Sequence, residues 1–139
     1  MTHTDDDVRA IRAVIERQFA ALSWSTENTG DWEAFAADFV DGAALFSAAR
    51  PVKPQSVDEF LTRMKNFAGK ELRSLRETVL GSEIKVYGNV ALASVICGMI
   101  ENEVTNSRTI EMFLLVKDDH VWWIAAQAWD KINGLELDP

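Results

Sequence analysis

Residues 108–131, RTIEMFLLVKDDHVWWIAAQAWDK, constrain the chain most, because they read as two strands with no polar face. Both halves, 108–117 and 120–130, are rich in β-branched and aromatic residues, and the Asp118-Asp119 pair between them predicts a two-residue turn. With that loop Lys117 faces His120, and Leu115, Phe113, Glu111 and Thr109 face Trp122, Ile124, Ala126 and Ala128 in that order. Opposed residues share a face, so one carboxylate, Glu111, is expected among apolar groups beside alanines that leave space. The other face carries Ile110, Met112, Leu114, Trp123 and Trp129 and is mostly apolar as well. A sheet of this kind must be covered on both sides.

The covering elements are legible upstream. Val8, Ile11, Ile15, Phe19 and Leu22 form one apolar stripe of a helix expected over residues 5–25, with Thr4 and Asp7 resembling a capping box and residues 1–4 frayed. Gln18 falls inside this stripe, either bonded to nearby backbone or facing a cavity. After Asn28-Thr29-Gly30, a short helix places Trp32, Phe35, Ala36 and Phe39 on one side. The stretch AALFSAA suggests a short strand, and the prolines of RPVKPQ mark an irregular connection. Ser56 and Glu59 form a capping box for a third helix carrying Val57, Phe60, Leu61, Met64 and Phe67, with Gly69 placed to stop it.

From residue 71 onward the pattern is strands only. Residues 71–87 read as one long strand with a bend or bulge at Gly81, and 89–104 as a second. A two-residue turn near Thr105 to Ser107 puts Asn102, Ile100, Gly98 and Ile96 on the face of Glu111. The chain thus reads as α+β: one domain over 1–139 in which a curved antiparallel sheet, about four long strands plus a short one, wraps three N-terminal helices.

Composition excludes several functions. Lys and Arg total 14 against 22 Asp and Glu, a net charge of −8, which argues against a nucleic-acid partner. No apolar run approaches the ~20 residues of a membrane span, and the acidic start MTHTDDD is unlike a secretory leader, so a cytoplasmic protein is expected. Cys97 is alone, and His3 and His120 are the only histidines, so no metal site is expected.

The passage AALSWSTENTGDWEAFAADFVDGAAL resembles the helix, Gly-Asp-aromatic, Phe-x-x-Asp-Ala region of the nuclear transport factor two-like superfamily, SnoaL-like and ketosteroid-isomerase-like domains included. The ending VKDDHVWWIAAQAWDK is similar to that superfamily's turn followed by Trp-x-Ile-Ala, with Trp122 and Ile124 matching. This resemblance implies a cone-shaped fold, a cavity at its wide end and a homodimer through the outer sheet face. It also implies a small hydrophobic molecule as ligand and chemistry without a cofactor. Members include isomerases, cyclases, dehydratases and noncatalytic binding domains, so the fold does not decide between them.

In the ketosteroid isomerase pattern, the protonated acid of the oxyanion hole falls at Glu111, the helix-one tyrosine at about Gln18, and the general-base aspartate near Ser47. A serine cannot take that proton without a base beside it. Glu111 and Gln18 are therefore the catalytic candidates, with Ser47, Ile100, Asn102, Thr109, Phe113, Ile124, Ala126 and Ala128 expected to line the pocket. Two roles stay open for Glu111: a neutral hydrogen-bond donor to a ligand oxygen, or a structural partner of Asn102, Gln18 or an arginine.

Overall fold

A computed structural model describes residues 3–68 and 70–132. The elements run α1 (His3–Ala21), α2 (Trp32–Ala37), β1 (Phe39–Phe46), α3 (Val57–Phe67), β2 (Leu75–Tyr87), β3 (Val90–Glu101), β4 (Thr105–Asp118) and β5 (Val121–Lys131). The strands form one open sheet in the order β1-β5-β4-β3-β2, antiparallel throughout except for the parallel pairing of β1 with β5. This is the expected α+β arrangement of three helices and four long strands plus a short one, with mixed rather than purely antiparallel pairing. Residues 1 and 2 of the expected frayed start, and Gly69, expected to stop α3, lie outside the described residues.

Helix α1 starts at His3 and ends at Ala21, so Thr4 lies inside it rather than capping it. Its expected stripe is real: Ile11, Ile15, Phe19 and Leu22 are buried, and Val14 joins them. Asp7, near its N-terminus, receives hydrogen bonds from Lys117 Nζ (2.9 Å) and Trp122 Nε1 (3.0 Å) at the β4–β5 turn. Farther along, Phe19 lies 6.4 Å, ring to ring, from Phe113. The helix thus covers the turn end of the sheet's inner face, where Ala91, Ala93 and Phe113 join its buried stripe in one apolar core. Short α2 buries Phe35, and its first turn is capped by Asp31, which accepts from the Ala34 amide. Helix α3 opens on the expected reciprocal Ser56–Glu59 box.

Three backbone irregularities decide which side chains face inward. β2 carries the bulge expected near Gly81: Val79 pairs with Cys97 and Gly81 with Ile96, leaving Leu80 unpaired. The β3–β4 connection is the three-residue Asn102-Glu103-Val104, with left-handed φ of 51° and 66° at the first two, rather than a two-residue turn at 105–107. An odd loop length reverses the face of the preceding strand, so Val95 and Cys97 oppose Glu111 and Thr109, while Ile96, Gly98 and Ile100 point outward. The β4–β5 turn is Asp119-His120, one residue later than expected, with φ of 49° and 64°. That displacement keeps parity, and Leu115 still shares a face with Trp122 and Ile124. A second bulge, at Ala125, then reverses it: Leu114 pairs with Ala126, Phe113 with Gln127 and Glu111 with Trp129. Gln127 and Trp129, not Ala126 and Ala128, therefore point inward beside Glu111.

Two consecutive non-glycine residues in the left-handed region make this turn costly, since the hairpin geometry asks for Asn-Gly-like chemistry. His120→Gly should stabilise the protein by about 1 kcal/mol in urea unfolding; an unchanged or lower midpoint would show that the turn carries no such strain.

Candidate functional site

The far end of the inner face, away from the β4–β5 turn, is covered by α3 instead of α1. Helix α3 packs closely on β1 and α2 and stands off from the central strands. Its Phe60 stacks on Phe35 and meets Trp129 edge-on, each with centroids 5.5 Å apart. Between α3 and the sheet this leaves a cavity of about 200 Å³, walled by Phe60, Arg63 and Met64 above and by Glu77, Met99, Thr109, Glu111, Gln127 and Trp129 below. Larger depressions, about 430 Å³ beside Asn28 and Arg76 and about 590 Å³ on the outer face around Leu80 and Arg108, contain no buried carboxyl.

The cavity floor is a polar belt crossing four strands. Glu111 is 8% exposed; its Oε2 accepts from Thr109 Oγ1 at 2.7 Å and its Oε1 from Gln127 Nε2 at 3.0 Å. Burial pushes the carboxyl up to about 7, and those two hydrogen bonds only partly oppose the rise. On β2, Glu77 is raised well above the ordinary carboxylate range, first by burial and then by the negative charge of Glu111. The Cys97 thiol, 3.9 Å from Glu77 Oε2, links the two strands. Burial and both carboxylates push that thiol up as well, which keeps it a protonated, unreactive neighbour. Above the belt, Arg63 holds its guanidinium carbon 5.9 Å from the Phe60 ring centroid, and its buried Nε has no hydrogen-bond partner. The described residues contain no cluster of three or more His, Cys, Asp or Glu side chains that could hold a metal ion.

Of the residues singled out from sequence, the structure brings Glu111 and Thr109 together at the cavity. Phe113 and Ile124 share their face but are sealed in the core beneath α1. Ile100, Ala126 and Ala128 lie on the opposite face because of the odd loop and the Ala125 bulge. Asn102 sits in the β3–β4 turn, where its Oδ1 accepts from the amides of Arg73 (2.7 Å) and Ser74 (3.2 Å). Ser47 lies in the connection after β1, bonded to the Ala49 amide, and is not on the cavity wall. Gln18 is 1% exposed and donates to the Phe35 carbonyl (2.9 Å) and to Asp38 Oδ2 (3.2 Å), so it ties α1 to α2 rather than facing Glu111. Sequence reasoning missed Glu77, Arg63, Gln127 and Trp129. A polar residue inside an apolar strand pattern, as at Glu77 and Gln127, was the available signal.

Comparison with known proteins agrees with this fold. Residues 6–130 match a family model described as "Putative lumazine-binding". The chain belongs to that family. Its fold is NTF2-like: a structure named "Putative Scytalone Dehydratase" from Novosphingobium aromaticivorans superposes with a TM-score of 0.74 at 16% identity, covering 100% of this chain and 97% of that one. A dehydratase-named member of the NTF2-like family from Streptomyces avermitilis gives 0.73 at 12% identity, over 94% of this chain and 99% of that one. An NTF2-like protein of unknown function from Methylobacillus flagellatus gives 0.65 at 22% identity, over 92% and 94%. No protein of curated function matches the chain.

The raised carboxyl of Glu111 has a thermodynamic consequence. Its folded-state value of about 7 lies above the 4.5 of an unperturbed glutamate, so the folded state holds the proton more tightly. The associated stability is complete below the unfolded value and is lost as pH rises through the folded one. A difference of that size corresponds to roughly 3 kcal/mol. Relative to Glu111→Gln, the unsubstituted protein should therefore lose roughly that much stability between about pH 4.5 and about pH 8. Parallel pH profiles for the two proteins in urea unfolding would contradict the desolvated carboxyl.

Proposed function

We propose that this protein binds a small, largely apolar molecule in the cavity beneath α3, with Glu111 as its hydrogen-bonding anchor. The observation that carries the reading is a buried carboxyl positioned by Thr109 and Gln127 on the wall of a cavity whose lining also includes the apolar Phe60, Met64, Met99 and Trp129 and the charged Arg63, Glu77 and Glu101. Cavities of this kind, mostly apolar with a few convergent polar groups, are where small ligands bind. The family description makes lumazine a rational first probe, together with apolar ketones and alcohols.

A second reading, a cofactor-independent isomerase, cyclase or dehydratase acting on a carbonyl compound, is favoured by the carboxyl of Glu111 titrating near neutrality. A group so placed can donate a hydrogen bond to a carbonyl or enolate oxygen when protonated and take a proton when ionised. In this reading Glu77, not Ser47, is the second acid–base group within reach of the cavity. The two dehydratase-named structures fit the same reading.

The outer face supports a further proposal, a homodimer. Leu92 pairs with Leu114, and both are exposed beside exposed Met112 and Val90, a contiguous apolar surface on the side away from the helices. Such a patch suits an isologous two-fold contact.

Lumazine and the apolar panel should include compounds that raise the melting temperature saturably, with the effect lost in Met64→Trp, which fills the cavity. A panel with no stabilising member would sink the binding reading, and turnover of a bound compound abolished by Glu111→Gln would select the catalytic one. For the dimer, sedimentation should show the unsubstituted protein as two chains and Leu114→Glu as one; a monomer at the outset would overturn that proposal.

A further inference from the structure

The cavity is rich in acceptors and poor in donors. Glu77, Glu101 and Glu111 stand on its wall against a single cation, Arg63. Arg63 makes no ion pair with any of them: the carboxylate partners of the ion pairs seen elsewhere are Asp6, Asp38, Glu83 and Asp7. The only cavity-wall donors bonded to Glu111 are the Thr109 hydroxyl and the Gln127 amide nitrogen. Gln127, 6% exposed, is left with a buried Oε1 that has no donor of its own. Phe60 and Trp129 add aromatic surface, whose ring faces attract positive charge. At long range, a chain of net charge −8 attracts cations and repels anions.

We propose that the ligand of this cavity carries a protonated nitrogen, an ammonium or amidinium group, which sits on the floor between Glu77 and Glu111 while its apolar body packs against Phe60, Met64 and Trp129. The inference rests on the binding reading above and deepens it. A cation at this position offsets the repulsion between the two carboxyls and adds a charge-assisted donor to the neutral ones they already have. A neutral ligand supplies no charge to offset that of the carboxyls, and an anion must approach three acids to reach one arginine.

The titratable and charged groups around the floor are Arg63 from α3, Glu77 from β2, Cys97 and Glu101 from β3, and Glu111 from β4, with exposed Lys131 opposite Thr109 at the end of β5. Because burial holds protons on Glu77 and Glu111, an ammonium ligand must displace them. Its binding releases protons, and its affinity rises with pH across the neutral range while the ammonium itself stays charged.

Benzylamine, benzyl alcohol and benzoate, one-ring probes of near-equal size, separate the possibilities by calorimetry. Benzylamine should bind at least about tenfold more tightly than benzyl alcohol at about pH 8, and lose about tenfold in affinity by about pH 5.5. The binding heats in phosphate and HEPES should differ by an amount that reports proton release. Glu111→Gln and Glu77→Gln should each weaken the amine more than the alcohol and so remove most of the amine's advantage. Should either variant fail to fold, the pH and buffer dependence of the unsubstituted protein still decides. Equal affinities for amine and alcohol would overturn the cationic ligand while leaving the binding reading intact. Preferential binding of benzoate, lost in Arg63→Met, would overturn it in favour of an anion. No binding by any of the three would overturn it as well, leaving the broader panel to judge the cavity.

Discussion

Burying the carboxyl of Glu111 is the constraint on which the inner face of the sheet depends. Removing a carboxylate from water costs several kcal/mol even after relaxation, and a hydrogen bond to a charged group returns about 1.5–3 kcal/mol. Thr109 at 2.7 Å and Gln127 at 3.0 Å supply two such bonds, which lower the carboxyl's proton affinity without restoring that of a hydrated one. Gln127 can serve only because the bulge at Ala125 turns it inward. In a regular ladder it would face the opposite side, and Glu111 would be left with Thr109 and a pair of alanines. An irregularity of the backbone and the placement of a charge are thus one feature, and neither is intelligible without the other.

The sheet divides into two ends with different physics. At the turn end, α1 and the sheet share one apolar core that includes Phe19, Ala91, Ala93, Phe113, Leu115 and Ile124. Burial of this kind, on the order of 25 cal/mol per Å² of apolar surface, holds the molecule together. At the other end α3 is anchored sideways, through Phe60 on Phe35 and through β1, so its underside does not close on the central strands. The cavity follows from that offset. The end with surplus packing tolerates an end with a desolvated acid pair, an unpartnered guanidinium nitrogen and an unfilled amide acceptor. Such polar groups cluster where binding energy, rather than folding energy, is to be gained.

The helices, the strand count and the hidden carboxylate were legible in the sequence because they rest on periodicity, which is local. Ile11, Ile15, Phe19 and Leu22 could only be one face of a helix, and Ser56 with Glu59 could only begin one. What periodicity does not carry is parity across a loop or bulge. One extra residue in the Asn102-Glu103-Val104 turn and one at Ala125 moved Ile100, Ala126 and Ala128 off the inner face and put Gln127 and Trp129 onto it. Neither the Asn102-Glu103-Val104 turn nor the Ala125 bulge contains the glycine that would have marked the extra residue locally. Ser47 and the catalytic role of Gln18 came from alignment to another enzyme's pattern. The apolar stripe itself leaves a backbone bond open for Gln18, and it donates to the Phe35 carbonyl, a partner that depends on how α2 docks.

The coupling across the floor sets how the site can behave as a unit. Glu77, Cys97, Thr109, Glu111 and Gln127 come from four strands, yet ionising Glu111 raises the proton affinity of Glu77, and either charge raises that of the thiol between them. Two carboxyls that interact in this way give up their protons as a pair, so titration belongs to the floor and not to one residue. Near neutrality the floor therefore carries less charge than its composition suggests, and whatever enters the cavity meets an acid pair that can give or keep a proton according to the visitor's own charge. Since both residues hang from the continuous β2–β3–β4 ladder, their separation is fixed by strand spacing rather than by loop conformation, and the response needs no movement of the fold.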